Sequence, residues 1–275
     1  MRDRLLSAVV LVPVVLLAMA AGNPWWALAA AAVAVLAVRE QLSLAGTAGM
    51  RTAAPLAYVL VAVLVLAALA PERELAVPAI AVAVFAAYCW QMLSDPADRS
   101  LAGWSATVAF PTATGILCAY VVLLRGLPGG LSWTLLLLVM VWVNDSAAYL
   151  GGRAVGRTPF FPTISPKKTV EGAVSGAVAT VVVCLLAPYV AAAVPGSPSP
   201  LAQASPLALA ALGLAVSVLA PAGDLSQSYI KRQAGAKDSS HLIPGHGGVL
   251  DRVDSFAFVA PVVYYVALLL GNGTP

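Results

Sequence analysis

Charge is scarce in this chain: of 275 residues only 15 are Lys or Arg and 12 are Asp or Glu, 10% in all. A soluble domain carries about 25% charged residues and about 45–50% apolar ones. So few charged groups cannot cover a globule of this size, whose surface would then be mostly apolar. A soluble enzyme, a disordered chain and a coiled coil are excluded on that ground. Cysteine is nearly as rare. Cys89, Cys118 and Cys184 sit in apolar runs with no Cys-x-x-Cys spacing, which argues for small residues among helices and against a disulfide or zinc framework. The sequence holds no Gly-x4-Gly-Lys-Ser/Thr phosphate loop, no Gly-x-Ser-x-Gly nucleophile turn and no His-Glu-x-x-His zinc motif. A net charge of +3 gives no reason to expect nucleic acid, because in a chain this apolar the placement of charge matters more than its sum.

What is abundant is hydrophobic sequence, 61% of the chain, with a mean hydropathy of +0.91. Long Ala/Val/Leu runs, rather than alternation with polar positions, exclude a β-barrel and indicate an all-α, polytopic helical integral membrane protein. About nine runs are candidates for transmembrane helices, at roughly 5–21, 23–38, 54–70, 76–93, 104–124, 131–150, 172–194, 206–223 and 254–270. Placing the N-terminus on the cytoplasmic side collects Arg2, Arg4, Arg39, Arg51, Arg99, Arg153, Arg157, Lys167, Lys168, Lys231, Arg232, Lys237 and Arg252 inside. Only Arg73 and Arg125 are left outside, so the C-terminus is expected outside. Ala18-Met19-Ala20 is similar to a signal cleavage site, but such triplets are common in a chain this rich in Ala, and the first span is expected to be retained.

The organisation divides in two. Residues 1–102 read as four spans with scattered charges, a transmembrane scaffold. Residues 103–275 read as a catalytic transmembrane domain of five spans with two long cytoplasmic loops, 151–171 and 224–253. These loops hold all four lysines of the chain and both histidines, mild evidence that compact ammonium groups are wanted there. The outer segment Pro195-Gly196-Ser197-Pro198-Ser199-Pro200 reads as an extended linker without chemistry.

Asp251 and Asp254, three residues apart, share a face if the last helix has begun there, and Asp224 follows the preceding span. If those spans pack side by side, the three carboxylates meet at the inner surface and can hold a hard cation such as Mg2+. Lys231, Arg232, Lys237 and Arg252 beside them can neutralise phosphate oxygens. Gly245, Gly247 and Gly248 let a backbone N–H approach one, and His246 among them can donate to a phosphate or a leaving group. The first loop adds Ser165, Lys167 and Lys168. Asp145, inside an apolar span, is a functional candidate by its position alone.

The segment Ser228-x-x-Lys231-Arg232-x4-Lys237-Asp238-x3-Leu242-x-Pro244-Gly245-His246-Gly247-Gly248-x-x-Asp251-Arg252-x-Asp254 resembles the signature of the phosphatidate cytidylyltransferases, or CDP-diacylglycerol synthases. Ser165-Pro166-Lys167-Lys168-Thr169-x-Glu171-Gly172 and Asn144-Asp145-x-x-Ala148-Tyr149 are similar to further motifs of that family, so the resemblance covers roughly residues 103–275. It implies the reaction of CTP with phosphatidate to give CDP-diacylglycerol and pyrophosphate, at the cytoplasmic face of the plasma membrane. It implies Mg2+, admits a second, monovalent cation such as K+, and points to a homodimer. The expected chemistry is in-line attack of a phosphatidate oxygen on the α-phosphate of CTP. On this reading Asp224, Asp251 and Asp254 hold the metal. Lys231, Arg232, Lys237, His246 and Arg252 bind the triphosphate or the leaving pyrophosphate, and Ser165, Lys167 and Lys168 hold a substrate from the other loop. Asp145 orients a water or a lysine, and Ser228, Asp238, Gly247 and Gly248 join the substrate-binding set. A CTP-dependent lipid-alcohol kinase and a membrane anion or lipid transporter are the rival expectations.

Overall fold

The computed structural model describes residues 2–193, 200–243 and 247–271. His246, with Pro244 and Gly245, lies outside the described residues, as do residues 194–199 of the outer linker and the last four residues. Nine α-helices are described: α1 (Arg2–Ala20), α2 (Asn23–Thr47), α3 (Ala54–Ala67), α4 (Ala76–Leu93), α5 (Leu101–Gly126), α6 (Gly130–Val155), α7 (Val170–Ala192), α8 (Pro206–Gln233) and α9 (Leu250–Leu270). They correspond one for one to the nine apolar runs. Among the described residues seven of them are long and apolar enough to cross a membrane, while Leu11–Ala20 of α1 and α3 are shorter apolar helices. Large apolar side chains such as Val77, Phe85, Leu93, Val178, Leu207 and Leu269 stand exposed, as a hydrocarbon solvent allows and water does not. The chain is a multi-pass, all-α membrane protein.

Four helices run past the apolar stretches that announce them. α2 continues through Arg39-Glu40-Gln41, because no breaker occurs before Gly46; it closes at Gly49, whose φ of 80° lets Met50 N–H reach the carbonyl of Ala45. α8 continues from Asp224 to Gln233, so that the start of the signature, Ser228 to Arg232, expected in a loop, is helical. Gly235, at φ 68°, ends it in the same way, with Ala236 N–H on the carbonyl of Lys231, and Lys231 and Arg232 in the last turn complement the helix dipole. α6 reaches Val155, and α9 begins at Leu250. The first inner loop holds a small antiparallel hairpin that composition did not announce: β1 (Pro159–Phe161) pairs with β2 (Ser165–Thr169).

The chain falls into two compact units, Met1–Leu123 with Ile230–Val253, and Leu124–Tyr229 with Asp254–Pro275. This division differs from a cut at residue 102, because the segment around the second half of the signature groups with the N-terminal helices. In the first unit α3 and α4 share a core of Leu60, Leu64 and Ala83. Gly115 of α5 lets Leu64 approach, Trp26 Nε1 donates to the Val121 carbonyl at 3.0 Å, and Thr114 Oγ1 donates to Gln41 Oε1 at 3.0 Å. In the second unit α6 and α7 cross along a seam of glycines. A Cβ at Gly151 would overlap Ser175 Oγ, one at Gly172 would lie 2.6 Å from the Ala148 carbonyl, and one at Gly176 would lie 2.9 Å from Asn144 Oδ1. Small residues four apart bring two helix backbones together where no hydrophobic effect between helices operates. Buried Thr180 Oγ1 meets Asn144 Oδ1 at 3.3 Å across the same seam.

Replacing Gly176 by Leu is expected to destabilise the protein by about 1–3 kcal/mol through overpacking. G46A, at a position where an added Cβ meets nothing within 4 Å, leaves stability near that of the parent. Thermal unfolding of both variants in one detergent checks the pair.

Candidate active site

In the second unit the hairpin supplies a cation to α8. Lys168 Nζ lies 2.6 Å from Asp224 Oδ2, with side chains 29% and 38% exposed, and Ser228 Oγ donates to Asp224 Oδ1 at 3.3 Å, one helical turn on. β2 presents Lys168 because the strand runs directly into α7. Thr169 is the N-cap of that helix, its Oγ1 accepting from Gly172 N–H at 3.1 Å. Glu171 ties down the other end of the hairpin, accepting from Arg157 N–H at 3.0 Å and from Thr158 N–H and Oγ1 at 3.1 and 2.9 Å. The spacing Ser165-Pro-Lys-Lys-Thr-x-Glu-Gly is thereby explained locally: a strand, a cap, and an anchoring carboxylate in the first turn. Ser165 is partly exposed and Lys167 exposed.

Asp145 is exposed on α6, and Asn144 Nδ2 approaches its Oδ1 at 3.5 Å. Asp254 is buried at the start of the second unit's part of α9. Its Oδ1 accepts from Ser255 N–H at 2.7 Å and Ser255 Oγ at 3.3 Å. Gly223 permits a close crossing there, since a Cβ would stand 2.5 Å from the Asp254 carbonyl.

In the first unit Asp251 is the acceptor around which the segment 230–253 folds. Lys231 Nζ donates to its Oδ1, and both side chains are buried. Its Oδ2 accepts from Ser239 N–H at 3.1 Å, Ser239 Oγ at 2.9 Å and Gly248 N–H at 3.0 Å. Gly247, at φ 80°, turns the chain into that contact. The N–H of Gly248 is thus engaged with Asp251, and the space a side chain would occupy at Gly248 is filled by Ser239 and Glu40. Arg232 Nη1 donates to the Ala236 carbonyl at 2.9 Å and caps its own helix. Lys237, Asp238 and Arg252 are exposed.

The candidate site residues therefore form two carboxylate–ammonium pairs, Asp224 with Lys168 and Asp251 with Lys231, one in each unit. Among the described residues no group of three or more His, Cys, Asp or Glu side chains is arranged to hold a metal ion. Two residues bound into these networks, Ser239 and Glu40, escape sequence reasoning. Glu40 had a signal: it and Asp3 are the acidic residues of the first 70 positions, and only Arg39 separates it from an apolar run.

Comparison with known proteins agrees with these motifs. Residues 2–270 match the model of the Cytidylyltransferase family. The chain is 32% identical to the phosphatidate cytidylyltransferase of Synechocystis sp., over 98% of this chain and 97% of that one. Shorter matches join it to the phosphatidate cytidylyltransferases of Brucella suis, 41% identical over 60% of this chain and 57% of the relative, and of Bacillus subtilis, 39% identical over 51% and 49%.

The two ion pairs differ in what losing the cation costs. K231M leaves the Asp251 carboxylate buried without its ammonium and is expected to destabilise by about 3–5 kcal/mol. K168M opens a half-exposed, screened pair and is expected to cost about 1 kcal/mol or less. Unfolding midpoints of both variants under one set of conditions measure the difference.

Proposed function

The chain belongs to the cytidylyltransferase family, and from that premise we propose that it transfers the cytidylyl group of CTP to phosphatidate, giving CDP-diacylglycerol and pyrophosphate. The observation that carries this reading is the contact of Lys168 with Asp224. It brings Lys168 of one family motif together with Asp224 and, one turn on, Ser228, the first residue of the other, into one constellation of carboxylate, ammonium and hydroxyl on α8. That is the equipment for polyanionic substrates, and the lipid-facing helices supply the setting for a substrate held in a bilayer. The weight of Lys and Arg on one side of the spans supports a cytoplasmic N-terminus and reacting face, and the family resemblance implies the plasma membrane.

The nucleophile is a phosphatidate oxygen and is already anionic, so the reaction needs no general base. A bond forms from that oxygen to the α-phosphorus of CTP, the bond from the α-phosphorus to the bridging oxygen breaks, and pyrophosphate leaves with the electron pair. The difficulty is bringing anions together, and cations held in place relieve it without reorganisation. Exposed Lys167, Lys237 and Arg252 and half-exposed Lys168 are available to phosphate oxygens. Lys231, held by Asp251, is a fixed charge rather than a mobile one.

The donor chemistry of Asp224 fits Mg2+: it is partly exposed, offers hard carboxylate oxygens and already holds one cationic group, an ammonium. Asp224 would hold the ion. Asp251, whose two oxygens take four donors, and Asp254, buried and bonded to Ser255, are the less available of the three expected ligands. Bound at Asp224, Mg2+ would neutralise phosphate charge and orient the α-phosphate. A second, monovalent cation such as K+ and a homodimeric state rest on the family resemblance alone.

Purified protein given phosphatidate, CTP and Mg2+ is expected to release pyrophosphate one-for-one with CDP-diacylglycerol. Release of CDP would establish γ-phosphate transfer instead, and neither product from folded protein would return the transport class. D224N is expected to lower turnover at least about 100-fold, and EDTA to abolish it reversibly in the parent.

A further inference from the structure

One buried carboxylate of the first unit belongs to no motif. Glu40 on α2 is 4% exposed. Its Oε1 accepts from Ser240 Oγ at 2.6 Å and Val249 N–H at 3.0 Å, and its Oε2 from Ser239 Oγ at 2.7 Å and Leu250 N–H at 2.9 Å. Those two backbone donors stand at the beginning of α9, where N–H groups have no acceptor inside the helix and the dipole favours negative charge. Four donors on two oxygens satisfy a carboxylate that has left water.

A helix cap would need no more than this, yet the network goes on. The same Ser239 Oγ that meets Glu40 also stands 2.9 Å from Asp251 Oδ2. A hydroxyl has one proton, so Ser239 serves the two carboxylates in competition, while its own N–H and that of Gly248 hold Asp251 from the backbone. Asp251 in turn holds Lys231. The connection Glu40–Ser239–Asp251–Lys231 is unbroken, and Gly248 is without a side chain at the one point where a Cβ would overlap both Ser239 Oγ and Glu40 Oε2. Ser240 lacks the onward link: it joins Glu40 to the N–H of Leu242 and does not touch Asp251.

We propose that Glu40 is a positioning residue for cytidylyl transfer, acting through Ser239 to fix the Asp251 carboxylate and, with it, the Lys231 ammonium. The inference rests on the function proposed above. It gives the N-terminal helices a part in the chemistry, where the sequence suggested a scaffold.

The two serines separate positioning from support. Each donates one hydrogen bond to Glu40, so a merely structural role makes S239A and S240A equal. Positioning makes them unequal: S239A lowers kcat roughly 10- to 100-fold with KM for CTP and phosphatidate little changed, and S240A keeps the parent kcat. E40Q sets an amide NH2 against donors whichever way it turns, since the N–H groups of Val249 and Leu250 cannot reverse. It is expected to lose kcat as S239A does, and the double variant E40Q/S239A to lose little more than either. Hydrogen exchange in resting protein gives a readout without turnover: E40Q speeds exchange of Val249 and Leu250, whereas S239A leaves those two amides protected. Equal kcat in S239A and S240A, or parental kcat in folded E40Q, overturns the proposal. A parent that makes no CDP-diacylglycerol brings down the function itself, and the positioning role with it.

Discussion

A carboxylate taken out of water must be surrounded by donors, and the segment that follows α8 is organised around two such groups, Glu40 and Asp251. Unpaired, either would cost several kcal/mol. Together they draw in two serine hydroxyls, four backbone N–H groups and a lysine. That set specifies where the chain leaves α8, how it turns at Gly247 and where α9 starts. An apolar packing of the same segment would be free to slide; donors and acceptors at fixed positions are not.

Helix packing in the second unit answers to a different shortage. Between apolar helices in lipid the hydrophobic effect supplies little, so close backbone approach and a few polar contacts must supply the rest. The glycines of α6 and α7 and the Asn144–Thr180 contact do this. The seam also fixes the hairpin, because Thr169 and Glu171 begin the helix that forms one side of it. Lys168 reaches Asp224 from a strand whose end is set by that cap.

Much of this was legible in the sequence. The nine apolar runs marked nine helices, and the fixed spacings around Lys231, Asp251 and Lys168 marked the residues that the structure binds into networks. The helix ends were less legible, because hydropathy ends where the hydrocarbon ends, whereas a helix continues until a glycine or a proline stops it; Glu40, Asp224 and Lys231 all lie in that difference. Gly151 and Gly152 lie within α6, and Gly151 and Gly156 leave room for Ser175 and Thr169, a role that local pattern does not announce. The role of Gly248 was read as an approach for phosphate, but its space is filled by Ser239, nine residues before it, and by Glu40, far away in the chain. The pairing of Glu40 with the start of α9 could not be read from local pattern at all, since it joins residues 210 apart.

That separation has a consequence for biosynthesis. α2 is made early, and the donors that satisfy Glu40 follow some 200 residues later, which at about 5–20 residues per second is a delay of tens of seconds or less. During that interval the nascent chain carries an acidic side chain at the edge of an inserted helix with none of its final partners. It must stay in contact with water or with the insertion machinery until the ribosome has delivered residues 239–250. Closure of the Glu40 contacts is therefore a late event, and it reports that translation has passed the part of the chain carrying the reaction.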